Sequence, residues 1–277
     1  SALWLKSQGF EVDFAPVDEK GFVDVETLGA LIRPDTTLVS IMAVNNEIGS
    51  IQPIEAISEL LEDKPTISFH VDAVQALAKI PTEKYLTDRV DFATFSSHKF
   101  HGVRGVGFVY IKSGKKITPL LTGGGQERDY RSTTENVAGI AATAKALRLS
   151  IEKLDIFTSK TGQMKEVIRQ ALLDYPDIFV FSDEEDFAPH ILTFGIKGVR
   201  GEVIVHAFED YDIFISTTSA CSSKAGKPAG TLIAMGVDKD KAQSAVRLSL
   251  DLENDMSQVE QFLTKLKLIY NQTRKVR

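Results

Sequence analysis

Short runs rich in Val, Ile, Phe and Thr alternate with amphipathic helical stretches along most of the chain, the pattern of a layered α/β fold. Strands are expected at 37–44, 66–71, 90–95 and 106–111. Between the first two, Pro53 opens a helix that carries Ile54, Ile57, Leu60 and Leu61 on one face. These strand segments are apolar on both faces, as expected for a sheet covered by helices on each side. From Asn136 a long helical stretch runs through Ala141, Ala144, Leu147 and Leu154. Beyond it a helix is expected near 162–175, with strands at 178–181, 190–194, 213–216 and 246–250. A last helix carries Val259, Phe262, Leu263, Leu266 and Ile269 at helical spacing. The division is a large domain over 1–145 and a smaller C-terminal α+β domain over 146–277.

Composition narrows the function. A net charge of −6 argues against a broad nucleic-acid-binding face. The single cysteine, Cys221, makes no internal disulfide, which fits a reducing cytoplasm, and it cannot build a multi-cysteine zinc site. No apolar run reaches the roughly 18 residues that span a bilayer, and no metal-ligand spacing joins His70, His98, His101, His190 and His206.

Four segments fall at strand ends, where open α/β sheets place ligands. Ser96-Ser97-His98-Lys99 sets a lysine after a strand, with Gly102, Gly105 and Gly107 following. An isolated lysine is usually solvated. Here the hydroxyl and small residues before it suit a phosphate, and the amine could form a Schiff base with an aldehyde cofactor. Asp72-Ala73-Val74-Gln75 ends another strand. A carboxylate there either caps the following turn or neutralises a cation such as a protonated pyridine ring. That pair is worth roughly 4 kcal/mol at about 4 Å and an effective dielectric near 20. Gln75 could reach the ring's phenolate oxygen. Asn45-Asn46-Glu47-Ile48-Gly49 reads as a turn, or as a place for Asn46 to contact such a ring. Ser219-Ala220-Cys221-Ser222-Ser223 precedes Lys224 and Lys227, a setting that favours the thiolate over the buried small hydrophobe a free cysteine commonly is.

With Gly123-Gly124-Gly125-Gln126-Glu127, Arg131-Ser132-Thr133-Thr134-Glu135-Asn136, Gly201-Glu202-Val203 and Arg247-Leu248-Ser249-Leu250 also in order, the chain resembles the cysteine desulfurases. These are pyridoxal 5'-phosphate (PLP) enzymes of aminotransferase class V with the fold-type I architecture, and the resemblance implies a mixed, mostly parallel sheet in the large domain. The resemblance implies that Lys99 carries the cofactor and moves the substrate α-proton. It implies that Asp72 pairs with the pyridinium, that Asn46 and Gln75 contact the ring, and that Ser96 and His98 hold the phosphate. Thr134 would join them from the second subunit of a homodimer. Arg247 would clamp the carboxylate of L-cysteine through two parallel hydrogen bonds. Cys221 would take the sulfur as a persulfide and release alanine. The loop around it is of the longer NifS- or IscS-like kind, which delivers sulfur to an acceptor protein, either an iron–sulfur cluster scaffold or a tRNA sulfurtransferase. The segment 224–230 departs from the pattern of dedicated cluster assembly and tilts this towards tRNA thiolation.

Three departures accompany the resemblance. Thr133 and Asp251 stand where the family usually has glycine. The family's Gly-rich phosphate turn and ring-stacking histidine precede the segment that matches Gly9-Phe10-Glu11-Val12, so weak or absent PLP binding is expected of these 277 residues alone. A class-V aminotransferase or lyase would use Lys99, Asp72 and Arg247 equally, and only Cys221 separates it from a desulfurase. A non-catalytic scaffold is the third reading.

Overall fold

A computed structural model describes residues 1–182, 185–218 and 230–275. The chain begins with α1 (Ala2–Ser7), which buries none of its residues, and α2 (Val25–Leu31), capped by the Asp24 side chain accepting from the Thr27 amide. The first sheet then forms in spatial order from β1 (Leu38–Met42), β2 (Ser68–Asp72), β3 (Phe92–Ser96) and β4 (Gly107–Ile111). β1, β2 and β3 run parallel, and β4 is antiparallel to β3. α3 (Ile54–Leu60) crosses between β1 and β2, as the pattern of Ile54 and Ile57 predicts.

The sheet differs from expectation in one respect. β2 and β3 bury alternate residues only, and Leu38, Met42, Phe108, Val109 and Tyr110 are 38–51% exposed. Val39, Phe69, Val71, Ala93 and Phe95 form the core with Ile54, Ile57 and Leu61 on the other face. Apolar side chains on both faces therefore signalled β-propensity rather than cover on both sides.

α4 (Val137–Ile151) starts where the Asn136 side chain accepts from the Gly139 amide at 3.0 Å. α5 (Leu154–Leu173) follows as one helix and takes in most of the segment expected to be separate at 162–175. Residue 145 falls inside α4. The second sheet is antiparallel, in the order β5 (Ile178–Val180), β6 (Ile191–Ile196), β8 (Ala245–Ser249), β7 (Ser216–Thr217). β7 begins at Ser216, so most of the strand expected at 213–216 is not paired. α6 (Gly201–Glu209), the short α7 (Gly230–Ala234) and α8 (Lys239–Gln243), and α9 (Met256–Lys275) complete the chain. Val259, Phe262, Leu266 and Ile269 of α9 are buried with Leu192, Phe194, Ile204 and Phe208, as helical spacing requires. No helix among the described residues is long and apolar enough to cross a membrane.

Candidate active site

The parallel strands bring their C-terminal ends to one edge of the first sheet, and the three motifs at 45–49, 72–75 and 96–99 meet there. β3 runs directly into a single 3-10 turn, Ser97–Phe100, that carries His98 and Lys99. Three contacts fix this turn. The Ser97 hydroxyl shares a 2.9 Å hydrogen bond with Thr143 of α4, the Ser97 carbonyl accepts from the Gly102 amide, and Phe100 is buried. Gly102 is required by close approach, since a Cβ there would lie 1.8 Å from the Ser97 hydroxyl. Lys99 thus stands half-buried on a short, anchored pedestal. On the neighbouring strand Asp72 ends β2 in register with Thr94, exposed, and its carboxylate accepts from the Val74 amide at 3.1 Å. That is the turn-capping role, and it leaves the second carboxylate oxygen for another partner.

The loop after β1 ties the two sheets together. The Asn45 side-chain oxygen accepts from the amides of Glu47 and Ile48, closing a tight turn. From the second sheet Thr193 donates to the Glu47 carbonyl at 2.6 Å, Ser182 to the Ile48 carbonyl at 2.6 Å, and Arg247 to the Asn46 carbonyl at 2.6 Å. Gly49 takes φ +87° here, and a Cβ on it would stand 3.0 Å from that of Ile191. Arg247 on β8 is brought to the motif edge of the first sheet in this way.

Between the sheets lies a cavity of about 200 Å³. The first sheet contributes Gln75, Lys79, His98, Lys99 and His101 to its wall, and the second contributes His190, Ile191, Arg247, Ser249, Leu250 and Asp251. The structure therefore gathers four of the expected site residues, Gln75, His98, Lys99 and Arg247, around one space. Asp72, Ser96 and Asn46 stand at the same sheet edge without lining it. Thr134 is exposed and outside the wall, and Cys221 lies outside the described residues.

The wall also holds residues to which the motifs assigned no role. Lys79 is buried, 4.1 Å over the Phe157 ring, and its ammonium is 3.9 Å from Asp251. Burial lowers its pKa while Asp251 opposes the shift. Asp251, the wall's carboxylate, also stands 3.2 Å from His101. His190 is 5% exposed, and burial beside Lys79, Lys165, Arg247 and Lys99 pushes its pKa down to about 3. A lysine inside Ala76-Leu77-Ala78-Lys79-Ile80 was the available signal for a buried cation. Nothing local marked His190.

The donor set fits a phosphorylated pyridine aldehyde. An amine, an imidazole and an amide open into one cavity, and a carboxylate with a spare oxygen ends the adjacent strand. Chemically, the arrangement offers an amine for covalent attachment and proton transfer, and a guanidinium for a carboxylate.

Comparison with known proteins agrees with this reading. The aminotransferase class-V family model matches residues 2–262. A NifS/IcsS protein homolog of Lactobacillus delbrueckii subsp. bulgaricus is 50% identical over 273 residues, which cover 98% of this chain and 71% of that protein. The cysteine desulfurase IscS of Clostridium botulinum is 38% identical, with coverage of 100% and 70%. Among solved structures, a NifS-like protein superposes with a TM-score of 0.89 at 38% identity, covering 97% of this chain and 70% of that one. A NifS-like protein from Rickettsia africae gives 0.83 at 31% identity, with coverage of 93% and 69%. On this evidence the chain belongs to the aminotransferase class-V family, among its NifS/IscS-like cysteine desulfurases, with the fold-type I architecture.

Proposed function

We propose that the protein is a PLP-dependent cysteine desulfurase that removes sulfur from L-cysteine, releases alanine and holds the sulfur as a persulfide on Cys221. The observation that carries this is the convergence of Lys99, His98 and Gln75 with Arg247 around one cavity, in a chain whose relatives are cysteine desulfurases. The region 1–145 holds the cofactor, and 146–277 carries Arg247 and the cysteine segment. Lys99, Asp72, Gln75, Asn46, Ser96 and His98 hold the cofactor, with Thr134 reaching it from the second subunit of a homodimer. When bound, PLP supplies the electron sink for the pair released at the substrate α-carbon.

The residues of this chain do the rest. Arg247, fixed by its bond to the Asn46 carbonyl, orients the substrate carboxylate. Lys99 takes the α-proton and returns a proton from its anchored turn. Asp72, at the end of β2, would pair its carboxylate with the ring nitrogen of the cofactor. The Cys221 thiolate attacks the substrate sulfur; an S–S bond forms as the carbon–sulfur bond breaks, and that bonding pair passes to the carbon fragment that leaves as alanine. An acceptor thiolate then bonds to the outer sulfur of the persulfide as the bond to Cys221 Sγ breaks, which returns the Cys221 thiolate and passes the sulfur to an acceptor protein in the cytoplasm, a cluster scaffold or a tRNA sulfurtransferase.

The test is full-length protein incubated with PLP and L-cysteine, with alanine and sulfide measured. Lys99→Ala should abolish both products together with the borohydride-trapped adduct. Cys221→Ala should abolish sulfide release while the adduct on Lys99 persists. Unchanged products in the Cys221 variant would refute the desulfurase reading and leave the aminotransferase or lyase one.

A further inference from the structure

His190 is a polar side chain that the proposed chemistry does not use. It is 5% exposed, it lines the cavity shared by Lys99 and Arg247, and among the described residues neither ring nitrogen has a hydrogen-bond partner. Buried polar atoms are almost always paired, so two unpaired nitrogens on one buried ring call for a ligand or a catalytic reason. A packing role alone would be met better by leucine, which carries no polar atom into the wall.

The surroundings define the ligand. Phe157 packs on one side of the ring, with centroids 5.6 Å apart. Burial, reinforced by the positive charges of Lys79, Lys165, Arg247 and Lys99, holds it neutral. A neutral imidazole carries one N–H donor and adds no charge of its own. It sits at the start of β6, where its carbonyl accepts from the Leu250 amide, which brings it beside the strand that bears Arg247. We propose that His190 is a substrate-binding residue whose ring N–H donates to the α-carboxylate of the amino acid held by Arg247. This rests on the cavity being the amino-acid site. The division of labour is physical: Arg247 supplies charge, and His190 supplies a directed donor that remains uncharged across the working pH range.

The test uses full-length, PLP-loaded protein labelled with 15N-histidine and titrated with L-alanine, which has the substrate's ammonium and carboxylate without its sulfur. The His190 ring signals should shift saturably; no shift while calorimetry still reports alanine binding overturns the inference. In turnover, His190→Leu should raise KM for L-cysteine about tenfold and leave kcat within about twofold, because a carboxylate contact is the same in ground and transition states. His190→Asn, which keeps a donor, should stay within about threefold of wild type. A KM unchanged in His190→Leu, or a loss confined to kcat, overturns it. If wild-type protein binds neither alanine nor cysteine, the cavity is not the amino-acid site and the proposed function fails first.

Discussion

Replacing His190 by Asn isolates what one buried imidazole costs the fold in acid. Its pKa falls from the ordinary 6.5 to about 3 through burial, reinforced by Lys79, Lys165, Arg247 and Lys99. A base with a depressed folded-state pKa binds its proton more readily in the unfolded chain. Its contribution is therefore fully present above the unfolded value and is lost as pH falls towards the folded one. Each pH unit inside that window removes about 1.4 kcal/mol, so the wild type should lose about 3 kcal/mol between pH ~7 and pH ~4 through this residue alone. Lys79, Lys99, His101, Lys165, Arg247 and Asp251 around the ring are common to both proteins, so the difference between the two curves isolates His190. Urea unfolding followed by circular dichroism at half-unit pH steps gives the comparison. The His190→Asn curve should be flatter by about 3 kcal/mol over that span. Parallel curves would refute the reasoning, because they would mean that water reaches the ring and keeps its pKa near the ordinary value.

Gly49→Ala places a side chain at φ +87° and 3.0 Å from the Ile191 Cβ, so it should destabilise the fold by about 1–3 kcal/mol. Thermal unfolding should show the loss, and a variant as stable as wild type would show that the loop can shift. Arg89 is buried and donates to Asp91 at 2.9 Å and to the carbonyls of Leu61, Lys64 and Ile67. Arg89→Ala should cost about 3 kcal/mol in urea unfolding, at the low end for a broken buried pair because Lys115 still stands 3.2 Å from Asp91. Arg247→Lys retains charge but loses the planar fork. KM for L-cysteine should rise about tenfold or more, and an unchanged KM would remove Arg247 from carboxylate binding.

Much of the candidate site was legible because several of its side chains are locally odd. A lysine after a strand among small residues, and a carboxylate ending an apolar strand, conflict with ordinary packing and stand out in the chain. The turn at 45–49 was legible as a turn from its Asn and Gly. Its further role as the bridge to the second sheet was not, because the partners Ser182, Thr193 and Arg247 are more than 130 residues away. Burial also escaped the pattern in places. Val109 and Tyr110 have strong strand propensity, but cover depends on what packs over β4 and not on the strand's own composition.

By itself the sequence determined the α/β alternation, most strand and helix positions, and the residue types that meet at the strand ends. Side-chain period and turn chemistry act over a few neighbours, so they can be read locally. The tertiary structure alone decided that the first sheet ends in an antiparallel strand and that Arg247 reaches the loop after β1. It alone gathered Lys79, His101, His190 and Asp251 into one cavity wall. Those outcomes depend on contacts between distant segments, whose energies are set by burial and charge proximity that no local window contains.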